Sequence, residues 1–294
     1  MNLRVLTRPA SDAGRIEVVL RMTAIILLLR PMGPWGVRPL ILGLSGLAIA
    51  LPRVLVTSAT WYALSALIAV RIIADWPLSD NHIYLLAYWC LALALALGGT
   101  HAASTIRRSS RLLIGGAFLM AVIWKSVLSP DYLDGRFFSV TFLTDPRFEN
   151  ATLLFSGVTA AQLKESREYL RPLPEGAELL DEPALAKTPA LRLLAGATTW
   201  GLLILEGLIA FSYLYPLSGH AVVLRHVFLL LFCILIYAFA PVAGFAWLLL
   251  TMGMALTGNE RRWPRVAYLA AWCLVLIYDE VPWSKLLVDW LGRG

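Results

Sequence analysis

Apolar blocks of about 15–20 residues run along the chain, separated by short basic or Pro/Gly-containing breaks, and each is near the length a helix needs to cross about 30 Å of hydrocarbon. Blocks over 16–32, 38–53, 55–76, 82–99, 111–128, 190–215, 221–239, 241–257 and 264–281 predict about nine transmembrane helices. The first block carries Glu17 and Arg21 and fits the interface as well as a span; the second is short. Residues 221–256 are too many for one helix, and Pro241-Val242-Ala243-Gly244 supplies a turn between two. The expected fold is an all-α integral membrane protein, a polytopic bundle forming a single membrane domain over 1–294.

One sizeable stretch breaks the pattern. Segment 129–189 is acid-rich, with Asp131, Asp134, Asp145, Glu149, Glu165, Glu168, Glu175, Glu178, Asp181 and Glu182 outnumbering its basic residues. Thr159-Ala160-Ala161-Gln162 has capping-box spacing and predicts a short helix to about Leu170, after which Pro172, Pro174 and Pro183 make an extended return. At this length the segment is expected to cap the bundle and not to fold as a separate domain. At the other end of the chain, 283–291 reads as an amphipathic helix on the outer interface with Trp290 as anchor.

Composition fixes the solvent. Of 294 residues, 59% are hydrophobic and 15% charged, more apolar surface than a soluble domain of this length can hide. The net charge of +6 comes from arginines clustered at span ends, which points to topology and lipid headgroups and away from nucleic acid. Arg107, Arg108 and Arg111 share one connection, and Arg261, Arg262 and Arg265 another. With nine spans these, the N-terminal arginines and Arg53 fall on one side, cytoplasmic by the positive-inside rule. Segment 129–189 then faces outward, and a bacterial cytoplasmic membrane is the expected location. No small-residue cleavage site follows Arg4, Arg8 and Arg15, so the N-terminus does not read as a cleaved signal. Cys90, Cys233 and Cys273 all lie in apolar runs and form no C-x-x-C motif.

Candidate chemistry narrows to ionisable residues in or beside spans. The chain contains no P-loop, G-x-G-x-x-G after a strand, H-E-x-x-H or G-x-S-x-G, and no histidine pair has helical metal-ligand spacing. Lys125 stands near the outer end of its block, where an ammonium either snorkels to the interface or serves chemistry. Glu206, in Leu203-Ile204-Leu205-Glu206-Gly207, is the deepest carboxyl and needs a partner. Span counting also brings Asp75, His82 and Asp131 toward the outer face. The blander alternatives are an i, i+4 pair of Arg71 with Asp75, a cap-region role for His82 and a hydrogen bond from a neighbouring helix to Glu206.

At these residues the chain resembles a known family. Asn81-His82-Ile83-Tyr84-Leu85-Leu86 resembles the Asn-His segment opening a membrane helix in the HTTM family, the membrane domain shared with vitamin K-dependent gamma-glutamyl carboxylase. Arg111 through Phe138, with Ala121-Val122-Ile123-Trp124-Lys125 and Pro130-Asp131-Tyr132-Leu133-Asp134-Gly135, resembles its lysine-bearing helix and following acidic turn. Leu224-Arg225-His226 through Phe232, then Gly244-Phe245, is similar to its later helix pair. The resemblance implies Lys125 as a base that deprotonates a hydroquinone and His82 as a polar stabiliser. Asn81, Asp131, Asp134 and Glu206 are the binding candidates beside them. A lysine stripped of water can serve as a base near neutral pH. Two departures count against full carboxylase activity: Cys233, where the family has His after Phe, and the lack of a large luminal domain after the spans.

The sequence thus predicts an outward-facing polar pocket near Asn81, His82, Lys125 and Asp131 that acts on or binds a lipophilic, quinone-like or lipid-borne molecule. The main alternative is a non-enzymatic membrane subunit in which Lys125 pairs with Asp131 and 129–189 docks a protein partner. A small-solute transporter using Glu206 is a third reading, weakened by the lack of an internal repeat or paired broken helices.

Overall fold

The computed structural model describes residues 12–30, 33, 35–170, 185–239, 244–258, 262–280 and 283–292. Arg4, Arg8, the return through Pro172, Pro174 and Pro183, the turn at 241–243 and Arg261 lie outside the described residues. Among those described no strand occurs. The helices are α1 (Asp12–Leu29), α2 (Arg38–Ala50), α3 (Pro52–Leu55), α4 (Ser58–Ala74), α5 (Asn81–Leu97), α6 (Ala102–Ile123), α7 (Pro130–Leu133) and α8 (Arg136–Thr144), then α9 (Glu149–Phe155), α10 (Ala160–Tyr169), α11 (Pro189–Leu214), α12 (Val222–Phe239), α13 (Phe245–Ala255), α14 (Trp263–Glu280) and α15 (Trp283–Trp290).

Among the described residues, three helical stretches have the length and composition to cross a membrane: Ala102–Leu128, Pro189–Leu214 and Gly219–Ile236. Among the described residues, five shorter apolar helices, Ser58–Ala74 and Asn81–Leu97 included, overlap other predicted blocks. Large apolar side chains stay on the surface along these helices, Ile73 at 75% and Val127 at 70% exposure. A contiguous apolar surface of that kind suits contact with lipid.

The chain forms two compact units. The first comprises Met1–Phe118, Ile209–Cys233 and Val242–Val275. Its helix α13 is hydrophobic all round, and every residue from Ala246 to Met254 is buried, as expected of a central helix. Where apolar faces give little discrimination between neighbours, hydroxyls and small residues set the packing. Ser58 and Ser65 of α4 donate to the Ala94 and Ala87 carbonyls of α5 at 2.6 and 3.0 Å. Ser110 donates to the Met252 carbonyl at 2.5 Å, and the Trp89 indole to the Thr23 hydroxyl at 3.1 Å. Gly253 leaves room for the buried Tyr268, whose ring would lie 2.4 Å from a Cβ built there. The Tyr268 hydroxyl meets His226 Nδ1 at 3.0 Å.

The second unit comprises Leu119–Leu208, Ile234–Pro241 and Leu276–Gly294. Its core joins Phe138, Phe142 and Leu143 of α8, Leu153 of α9 and Leu163 of α10 to Leu191 and Ala195 of α11 and Val288 of α15. The predicted capping box is present: Thr159 accepts from the Gln162 N–H, and the Gln162 side chain accepts from the Thr159 N–H. Polar ties complete the unit. Arg167 bonds Glu149 at 2.6 Å and the Leu143 carbonyl at 3.2 Å, while Thr152 donates to the Phe142 carbonyl at 2.8 Å. Segment 129–189 holds more helix than the single one its capping box announced. The C-terminal amphipathic helix is present as α15, and the exposed face carries Trp290 while Val288 enters the core.

Candidate functional site

Lys125 lies in a π-helical turn, Trp124–Leu128, that ends the α6 stretch. Such wide turns carry one extra residue and often accompany functional side chains. Beyond it Pro130 opens α7, and Gly135, at φ +81°, turns the chain into α8. A Cβ at Gly135 would lie 3.7 Å from the Gly196 nitrogen, so two glycines let this acidic turn lie close against α11.

The first turns of α11 belong to the core of the second unit, through Leu191 and Ala195. Glu206, further along the same helix, meets the Lys125 side chain, which stands near the end of its own helical stretch. Lys125 Nζ donates to Glu206 Oε1 at 2.5 Å, with side-chain exposures of 23% and 6%. The ammonium also stands 5.1 Å from the Tyr132 ring centroid, within cation–π range.

The pairing leaves valences open. Glu206 Oε2, the Tyr132 hydroxyl and the Thr199 hydroxyl are all buried without a hydrogen-bond partner. Thr199 and Glu206 lie seven residues apart, on one face of α11. Burial, and after it the Glu206 charge, pushes the Tyr132 phenol upward, so it stays a neutral donor. Buried polar atoms without partners are uncommon and costly, each on the order of 1–3 kcal/mol. Glu206 Oε2 and the Tyr132 hydroxyl, beside a buried ion pair, form the strongest candidate site in this unit.

The other sequence candidates have neighbours of their own. Asp131 and Asp134 both pair with Arg136 at 2.6 Å on the exposed face of the turn, so the expected Lys125–Asp131 ion pair does not form. Hydrogen bonds from the Arg136 backbone and then its side chain hold the Asp134 carboxyl below the usual range. Asn81 and His82 open α5 in the first unit, where the His82 ring lies 6.5 Å from that of Phe245. Arg71 pairs with Asp75 as their spacing suggests. Tyr132 and Thr199 escaped sequence reasoning. Tyr132 stood inside the quoted acidic turn, but its burial was not legible there.

No group of three metal-ligating side chains occurs among the described residues. No protein-family model, curated protein sequence or solved structure matches the chain.

Proposed function

We propose that Lys125, Glu206 and Tyr132 bind the oxygenated head of a lipophilic, quinone-like or lipid-borne molecule within a polytopic helical membrane protein. The carrying observation is the open valence beside the ion pair: Glu206 Oε2 can accept a ligand hydroxyl, and the Tyr132 hydroxyl can donate to a ligand carbonyl. Lys125 supplies charge next to both, and the apolar exterior of Ala102–Leu128 gives a long-tailed molecule a route through lipid. A decyl-tailed benzohydroquinone, kept reduced and titrated into the protein in nanodiscs, tests this, its hydroxyls able both to donate to Glu206 and to accept from Tyr132. Saturable binding is expected, weakened about tenfold by Glu206→Gln or Tyr132→Phe and unchanged by Lys164→Gln on the exposed face of α10. Binding indifferent to all three changes would end the reading.

In this reading the chain crosses the bilayer about nine times. Its N-terminus is cytoplasmic and 129–189 lies outside. Arg107, Arg108, Arg111, Arg262 and Arg265 on one side support that orientation. Labelling single cysteines at Ser104 and Lys164, with Cys273 replaced by Ser, reads the two sides; labelling of both from one side would overturn it.

A second reading, a non-enzymatic scaffold, draws on the mutual neutralisation of Lys125 and Glu206 at 2.5 Å. There the pair clamps two helices and the acidic segment docks a protein. Loss of hydroquinone response together with intact folding in Glu206→Gln favours the binding site; loss of folding without any hydroquinone response favours the clamp.

A further inference from the structure

Packing in the second unit uses only one side of the C-terminal helix α15. Val288 enters the apolar core, whereas Leu286, Leu287 and Leu291 are exposed and Trp290 is 81% exposed. The Leu291 N–H donates to the Leu287 carbonyl at 3.0 Å, so the helical turn carries Leu291 with it. At about 100° per residue these side chains sort onto four sides of the helix. With Val288 marking the core side, Lys285 and Asp289 lie on one flank and Leu287 and Leu291 on the opposite flank. Leu286 and Trp290 take the side away from the core. The helix therefore has a charged flank set against an apolar one, with the protein between them on a third side.

Two membrane-length helices fix the level at which α15 lies. Ala102–Leu128 keeps Trp124, Val127 and Leu128 exposed at its end, and just beyond it Tyr132 is buried in the same cluster that Val288 joins. Pro189–Leu214 starts from that cluster, through Leu191 and Ala195 of its first turns. The cluster thus sits where one such helix ends and another begins, and Val288 ties α15 to it. In a bilayer that level is the boundary between hydrocarbon and headgroups, where tryptophan concentrates. Trp124 and Trp290 both stay exposed there.

We propose that α15 lies flat in the interface of a lipid bilayer, with Leu287 and Leu291 on the acyl chains, Lys285 and Asp289 in water and Trp290 at the headgroup level. A bilayer fits this face because its boundary supplies water above and hydrocarbon below at once, as the opposed flanks require. The contact also bears on the core. Val288 shares its cluster with Phe138 and Phe142 of α8, so a lipid-held α15 keeps that side of the core covered.

The test uses the full-length protein with Cys273 replaced by Ser, since Cys90 and Cys233 are buried. A single cysteine is introduced in turn at Lys285, Leu286, Leu287, Asp289, Trp290 and Leu291 and given a nitroxide. Each protein is reconstituted as one copy per phosphatidylcholine nanodisc, and collision rates with oxygen and with a water-soluble nickel chelate read the depth. Labels at Leu287 and Leu291 are expected about 5–10 Å into the headgroup–acyl boundary, those at Lys285 and Asp289 in water, and those at Leu286 and Trp290 between. Leu287→Asp should lift the helix and speed amide exchange across Arg136–Thr144 about tenfold, while Lys285→Gln leaves it unchanged. If Leu287→Asp does not fold, the depth profile decides alone. The proposal is overturned if every label prefers the nickel chelate, if depth does not alternate between the flanks, or if folded Leu287→Asp exchanges no faster than Lys285→Gln. It is also overturned if the alternation appears only with two copies per disc, which assigns the face to a second copy of the chain.

Discussion

Removing Lys125 should damage the protein more than neutralising Glu206, because the two partners are buried to different degrees. In Lys125→Met, a carboxylate with 6% exposure loses its counter-charge. Breaking a buried ion pair from one side costs about 3–5 kcal/mol. In Glu206→Gln the ammonium is left on a flexible stem at 23% exposure, and a snorkelling lysine beside the Tyr132 ring limits the cost to about 1–2 kcal/mol. Adding Glu206→Gln to Lys125→Met removes the stranded charge, so the double variant should be more stable than Lys125→Met alone, with a coupling of about 2 kcal/mol. The assay is denaturant unfolding of the four proteins in mixed micelles, followed by helical circular dichroism. A coupling below about 0.5 kcal/mol, the range of exposed pairs, would refute the reasoning, as would a double variant less stable than Lys125→Met.

Other expectations follow from single contacts. Gly253→Ala places a methyl 2.4 Å from the buried Tyr268 ring and should cost about 2 kcal/mol or more in the same unfolding assay. Thr159→Ala removes the capping box and should cost about 1 kcal/mol, seen as faster hydrogen exchange across Ala160–Tyr169. At Asp145, burial pushes the carboxyl up, but hydrogen bonds from the Arg147 side chain and backbone outweigh it and hold it below its ordinary 3.8. A depressed carboxyl contributes stability that is complete above the unfolded value and is lost as pH falls through the folded one. The turn at Pro146–Phe148 should therefore loosen below about pH 3.8, read by hydrogen exchange or local proteolysis, and Asp145→Asn should remove that dependence.

The apolar helices were legible because a long uninterrupted run of apolar residues marks a helix by length and composition alone. Asn81–Leu97 and Trp263–Glu280 fall where the apolar blocks put them, and the Thr159–Gln162 box names its own helix. The short helices Arg136–Thr144 and Glu149–Phe155 did not announce themselves, since each offers only one or two apolar repeats, such as Phe138 with Phe142. Both halves of the ion pair stood out as charges in apolar blocks, but their partnership did not. Lys125 and Glu206 are 81 positions apart, and hydropathy carries no information across that distance. The π turn at Trp124–Leu128 leaves no pattern at all, because an extra residue in a turn is accommodated by its surroundings.

The core of the second unit also imposes an order in time. Leu153 and Leu163 emerge from the ribosome well before Val288, the C-terminal side chain that completes their cluster. At synthesis rates of about 5–20 residues per second, the acid-rich segment waits on the order of ten seconds with one side of its core uncovered. During that interval Phe138 and Phe142 have no complete apolar shelter, so a chaperone or the membrane surface must tolerate them. Truncation just before α15 would make that waiting state permanent.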